Sequence, residues 1–270
     1  MRTKLAILTV LLTVTACDDG QDPTTPERTA ELAPSTDAEV TTDHALTAQR
    51  TVTPDTDVRE LARTLQPRMT RARFLRFTTS AIHDPVVAEV FIERLADGNE
   101  SPEVRAALVE ALPRTGGDYA DAVLSLYGDE PEASVRTAMV GALQRAPAVQ
   151  AREGIALGLE DRDAHVRAEA ARVAGARPEI VELEAALADH VDDRDAEVRA
   201  AAIRSLGLVG ADDKLDAVSS RLRDDDATVR LEALRALRRL DPAGAAGKVS
   251  VLVDDDNEIV RKAAQKLQTK

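Results

Sequence analysis

The sequence predicts an all-α fold, a right-handed solenoid of stacked two-helix repeats. Three observations carry this. Arg105, Arg136, Arg167, Arg199, Arg230 and Arg261 stand 31, 31, 32, 31 and 31 residues apart, and a valine precedes each. A fixed period of this length means stacked copies of one supersecondary unit. Around each arginine, apolar residues recur at −1, +3 and +6 or +7, as in Val166, Ala170, Val173 and Ala174, which is one face of an α-helix. Four residues before the arginines stand Ser101, Glu132, Asp163, Asp195, Asp226 and Asn257. Five of these six are favoured N-caps, and Pro102 fits the first helical position.

Between these helices lie second apolar segments: 86–95, 120–126, 149–159, 180–191, 215–222 and 245–253. Gly, Pro and Asp punctuate the joins, with Gly116, Gly117, Gly207 and Gly210 read as helix ends. One helical hairpin cannot bury its apolar face alone, so neighbouring copies are obligatory. Composition sets the kind of core. Aromatic residues make up 2% of the chain against 44% hydrophobic, so Ala, Leu and Val must fill it. The five aromatics lie between Phe74 and Tyr127. Aromatic anchors dominate most interface hot spots, so a partner of the later repeats is expected to be held through polar contacts.

The N-terminus reads as an address. Arg2 and Lys4 precede an apolar run from Leu5 to Val14, too short to span a membrane permanently but suited to a secretory signal. The run ends in Val14-Thr15-Ala16-Cys17, which resembles the bacterial lipobox. The resemblance implies that residues 1–16 are removed and that the only cysteine, Cys17, is acylated, which anchors the chain to a membrane of the bacterial cell envelope. Several acyl chains anchor stably, since each buried methylene adds ~0.8 kcal/mol. Asp18 follows the cysteine; in enteric bacteria that resemblance implies the inner membrane, and other lineages read the position differently, so inner and outer membrane both stay open.

Residues 17–56 alternate Thr, Asp, Glu, Pro and Ala with no apolar period, which predicts a disordered acidic tether. The solenoid is assigned to residues 57–270. Asp57–Gln66 reads as a capping helix, and Arg71-Ala72-Arg73-Phe74-Leu75 as a degenerate copy of the repeat ahead of the six regular ones. Lys262, Lys266 and Lys270 make the last helix polar on its outer side, as a terminal cap requires.

The stretch Asp193–Leu206, Asp-x-Asp-Ala-x-Val-Arg-x-x-Ala-x-x-x-Leu, resembles HEAT repeats, especially the short variety of the phycobilin lyase-type proteins. The resemblance covers about residues 70–270. It implies that the acid six residues before each arginine pairs with it and that the pairs stack into a ladder: Asp161 with Arg167, Asp193 with Arg199, Asp224 with Arg230 and Asp255 with Arg261. Glu130 replaces the aspartate for Arg136, and Asn99 breaks the pattern at Arg105. A planar guanidinium can bridge a carboxylate and nearby loop carbonyls at once.

A net charge of −13 disfavours nucleic acid, which demands a dominant basic footprint. The four histidines do not cluster, and no cofactor or metal set is expected. The acid runs Asp192-Asp193, Asp224-Asp225-Asp226 and Asp254-Asp255-Asp256 lack calcium-loop spacing; caps and ladder acids are expected to account for two of three residues in each triplet. No nucleophile stands in a recognisable motif, so no catalytic residue is assigned.

One pattern points to recognition. At +5 in the last four repeats stand Arg172, Arg204, Arg235 and Lys266, ~140° around the helix from the ladder arginine. In HEAT-like stacks the second helix lines the concave surface, so this row would face a protein or peptide partner bearing acidic groups. The competing reading is a solubilising face, helped by Glu169–Arg172 and Glu232–Arg235 at i,i+3. The expected function is a non-catalytic, membrane-anchored scaffold. The alternative is a HEAT-type enzyme or enzyme subunit, such as a chromophore lyase-like factor.

Overall fold

The computed structural model describes residues 85–269. The expected signal segment at 1–16, Cys17, the expected tether at 17–56, and the expected helix at 57–66 and copy at 71–75 lie outside the described residues.

Six helical hairpins follow one another. Their members are α1 (Pro85–Ala96) and α2 (Pro102–Ala111), α3 (Ala120–Tyr127) and α4 (Ala133–Leu143), α5 (Ala148–Leu159) and α6 (Ala164–Gly175), α7 (Leu183–Asp189) and α8 (Ala196–Val209), α9 (Leu215–Ser220) and α10 (Ala227–Leu240), and α11 (Ala245–Lys248) and α12 (Glu258–Gln268). No strand occurs among the described residues. The arginines all lie in the first turns of the even-numbered helices. Ser101, Asp163, Asp195, Asp226 and Asn257 cap those helices, each side chain accepting a backbone N–H of the first turn. Glu132 holds the cap position of α4 without a side-chain bond, because its carboxylate sits one methylene too far out.

The first helices differ from the expected segments. The one at 180–191 begins only at Leu183, since Pro178 directs the chain into turns closed by Arg177–Ile180 and Ile180–Leu183 backbone bonds. α7, α9 and α11 then tighten into 3-10 turns at His190–Asp192, Arg221–Arg223 and Val249–Leu252. In each, the N–H of Asp193, Asp224 or Asp255 closes the turn on the carbonyl three residues back at 3.2 Å. The tightening thus fixes where an acidic side chain leaves the loop.

The second helices pack closely on one another along the stack, more so than the first helices do. Small residues permit this. Gly207 lies inside α8, not at its end as the sequence suggested; a Cβ there would come within 2.8 Å of the Ala236 backbone in α10. Gly175 meets Ser205 of α8 in the same way. These are positions +8 and +6 of consecutive repeats, so the close approach recurs at the two successive junctions α6–α8 and α8–α10. Gly210 does end α8, in the left-handed conformation at φ 78° that glycine adopts without steric cost. The core between the layers is Ala, Val and Leu, with Leu206, Ile203, Leu237 and Val229 fully enclosed.

The arginine ladder differs from the resemblance's implication in its partners. Each arginine pairs with the acid of the following repeat, not with that of its own. Nε and Nη2 of Arg136 grip Asp161, those of Arg167 grip Asp193, Arg199 takes Asp224 and Arg230 takes Asp255, all at 2.7–2.9 Å. Arg105 takes Glu130 in the same way, so this glutamate serves Arg105 and not Arg136. The other edge of each guanidinium, Nη1, donates to its own loop: Arg199 Nη1 reaches the Asp193 carbonyl at 3.0 Å and Arg230 Nη1 the Asp224 carbonyl at 2.8 Å. The reason lies in the loop. Each ladder carboxylate also accepts the N–H two residues on, as Asp193 does from Asp195 and Asp224 from Asp226. That turn aims it at the preceding repeat, while only the loop's carbonyls face its own arginine.

Arg261 ends the series. Its Nη1 donates to the Asp255 and Asp256 carbonyls, but no acid of a following repeat meets its Nε and Nη2 among the described residues. Asp255, assigned to it from the sequence, belongs to Arg230.

The pairs are buried, with Arg136 and Asp161 each 5% exposed at the side chain. Burial pushes the Asp161 carboxyl up, but hydrogen bonds from Arg136, Tyr127 and the Asp163 N–H outweigh it and hold it at about 2. Asp193 and Asp224 are lowered on the same balance, and Asp255 chiefly by its bonds from Arg230.

Two outcomes follow for stability. Arg199→Ala takes both guanidinium bonds from the buried Asp224 carboxylate, leaving the Asp226 N–H and Arg221 at 3.9 Å, and should destabilise by about 1–3 kcal/mol in urea unfolding. Arg261→Ala strands no acid and should cost clearly less. For pH, the folded Asp161 value lies below the ordinary 3.8, so its contribution is fully present above that value and is lost as the pH falls through about 2. Urea midpoints measured from roughly pH 5 downward should fall across this window, and Asp161→Asn should flatten the fall.

Candidate functional site

The +5 column lies on the solvent side of the second helices. Arg172, Arg204 and Arg235 are about half exposed, at 51%, 46% and 47% of their side chains, and Lys266 is exposed. The row starts only at α6 because Glu110 and Gly141 occupy the same column in α2 and α4.

The three arginines are not free. Arg172 pairs with Glu169 one turn back. Arg235 pairs with Glu232 at 2.7 Å, also one turn back, and Arg204 reaches across from α8 to the same Glu232 at 3.0 Å. The local pairs Glu169–Arg172 and Glu232–Arg235 are those the sequence offers at i,i+3; the cross-repeat grip of Arg204 is new. Glu232 is 2% exposed. Burial pushes its carboxyl up, yet the two guanidiniums together hold it below the ordinary range. The row is therefore cation and acid interleaved. Lys266, together with Arg238 and Arg239 on α10, makes no ion pair with a described residue, so within the basic row it is the C-terminal end that keeps uncompensated charge.

Among the described residues, three depressions lie along this face. One of about 670 Å³ between α2 and α4 carries Glu103, Glu110 and Glu169 with Arg114 and Arg145. The next, about 530 Å³, has a floor of Ala168, Ala196, Ala200 and Ala201, with Arg172 and Arg204 at its edge. Its other edge is His165 and Glu197, paired at 3.2 Å. The third, about 340 Å³ between α10 and α12, is apolar below and cationic above. Alanine floors let a main chain approach, and the guanidiniums beside them can take carboxylates in bidentate fashion.

The remaining sequence candidates fall into structural places. His190 has both ring nitrogens within 2.9 Å of carbonyl oxygens, Ala186 on its own helix and Leu159 on α5, so it ties adjacent repeats together. Asp192 pairs with Arg221 at 2.6 Å. In Asp224-Asp225-Asp226 the first is a rung and the third a cap. In Asp254-Asp255-Asp256 only Asp255 is used, since the cap has passed to Asn257; the expected two of three is one of three here. Among the described residues, no three His, Cys, Asp or Glu side chains gather closely enough for a metal ion, and no helix is long and apolar enough to cross a membrane.

The repeats also match known proteins. The family model for HEAT repeats matches residues 152–238 and 184–268. Solved structures agree on the fold. The archaeal HEAT-like repeats protein from Thermococcus onnurineus NA1 is 18% identical, with a TM-score of 0.52 over 78% of this chain and 94% of that one. Cex1p is 19% identical with a TM-score of 0.53, and the match spans 73% of this chain but only 47% of Cex1p. At these identities the likeness is one of fold alone. No curated protein matches in sequence.

Two residues that line the third depression, Arg238 and Ile259, did not figure in the sequence reading. The signal was in the columns: position −2 is Glu103, Ser134, His165, Glu197 and Thr228 in the first five copies and Ile259 in the sixth.

Proposed function

We propose that this chain is a lipid-anchored scaffold of the bacterial cell envelope that holds an acidic protein or peptide on the face of its second helices. A HEAT-type stack offers an extended surface rather than an enclosed cleft, and such repeats are built for side-by-side contact with a partner. The observation that carries the binding reading is the α6–α8 depression, where an alanine floor lies beside the exposed guanidiniums of Arg172 and Arg204. The anchor and the address rest on the sequence: the segment 1–16 as signal, Cys17 as the acylated residue and 17–56 as the tether that separates the stack from the membrane.

In this reading Glu232 is an internal competitor. It occupies the bonds of Arg204 and Arg235 that a partner's carboxylate would take. Arg204→Ala with Arg235→Ala should therefore weaken capture of an acidic partner and flatten its salt dependence, whereas Glu232→Gln should strengthen capture at low salt. Binding that ignores both changes would leave the row as a solvated face.

The anchor has its own test. Cys17→Ser should release the protein from membranes in cell fractionation; unchanged membrane association would overturn the lipid attachment.

A further inference from the structure

The depression between α10 and α12 differs from its neighbours in a way the repeat itself does not demand. Where the α6–α8 depression has Ala168 and Glu197, the same columns here hold Leu231 and Ile259. Leu234 and Leu267 complete an aliphatic floor. Ile259 is 64% exposed, at a position that is polar in the other five copies. An isolated exposed aliphatic residue needs no explanation, but one that joins three leucines in a recess does.

Charge sits on the rim. Arg235 and Arg238 rise from α10 and Lys266 from α12. Arg235 shares Glu232 with Arg204, while Arg238 and Lys266 make no ion pair with a described residue. In a chain of net charge −13, this is where apolar surface and unneutralised positive charge coincide.

We propose that this recess is the anchor of the partner-binding face, seating one large aliphatic side chain of an acidic peptide segment while Arg238 and Lys266 take the flanking carboxylates. The inference rests on the scaffold reading above and sharpens it: specificity lies in the last two repeats rather than evenly along the row. Hot spots of this form, an apolar anchor in a pocket ringed by polar contacts, carry most of an interface's affinity. A peptide fits better than an anionic lipid surface. The recess holds about 340 Å³, room for a side chain.

The test uses the full chain with isotope-labelled isoleucine and leucine methyl groups. It is titrated with a short synthetic peptide of Asp and Glu carrying one central leucine, and in parallel with phosphatidylglycerol vesicles. The inference expects shifts at the methyls of Ile259, Leu231 and Leu267 with the peptide, lost when the peptide's leucine is replaced by serine. Ile259→Ser, which installs the residue type found at position 134, should weaken binding about tenfold while leaving the remaining methyl spectrum intact. Arg238→Glu with Lys266→Glu should abolish it. Shifts confined to α6 and α8 and indifferent to Ile259→Ser would overturn the anchor and leave the scaffold reading standing. No binding to any peptide would overturn both. Response to vesicles alone would replace the peptide with a lipid surface.

Discussion

A guanidinium has two useful edges, and this fold depends on each facing a different repeat. Nη1 closes the arginine's own loop through backbone carbonyls, while Nε and Nη2 hold the carboxylate that the next loop presents. One side chain therefore fixes both the turn within a hairpin and the spacing between hairpins. The carboxylate is equally divided, accepting the preceding repeat's arginine and its own loop's N–H. Because these groups are largely shielded from solvent, loss of one member leaves its partner short of a charged hydrogen bond. Between α6 and α8 and between α8 and α10, that distance brings the helices close enough that Gly175 and Gly207 leave no room for a Cβ.

The period, the caps and the two-helix unit were legible in the sequence because each is local: an N-cap lies within one turn of the N–H it serves. The ladder partner was not. Asp193 stands six residues before Arg199 and 26 after Arg167, and in a periodic chain both separations recur in every copy. Spacing cannot choose between a rung within a repeat and a rung between repeats. The direction in which the loop aims its carboxylate decides, and that direction comes from the 3-10 turn and the N–H two residues on, neither of which the apolar pattern records. The helix boundaries at 180–183 and Gly207 were misread for a related reason: proline and glycine mark a break or a close approach with the same residue.

The second-helix face was legible as a row of cations and incomplete as a surface. Glu232 lies two residues after Arg230, in a column that is otherwise alanine apart from Glu169. Read down the columns, those two acids sit beside the basic row and predict its partial neutralisation. Read along the chain, they look like ordinary surface glutamates. Arg238 and Arg239 of α10 and Lys266 of α12 therefore keep charge that the row's own acids do not neutralise. There it meets aliphatic residues in place of alanine. Toward the far side of α12, Gln265 and Gln268 stand where earlier copies have Val109, Leu112, Leu234 or Leu237, so polarity replaces the apolar face that stacks in the other repeats.

The claim that one arginine joins two repeats is tested most directly by a pair of double-mutant cycles on the full chain, read by urea unfolding. Arg199→Ala is combined with Asp224→Asn in one cycle and with Asp193→Asn in the other. The inter-repeat ladder predicts a coupling of about 1–3 kcal/mol with Asp224 and under about 0.5 kcal/mol with the Asp193 side chain. Strong coupling to Asp193 and none to Asp224 would place the rung within the repeat and contradict the account.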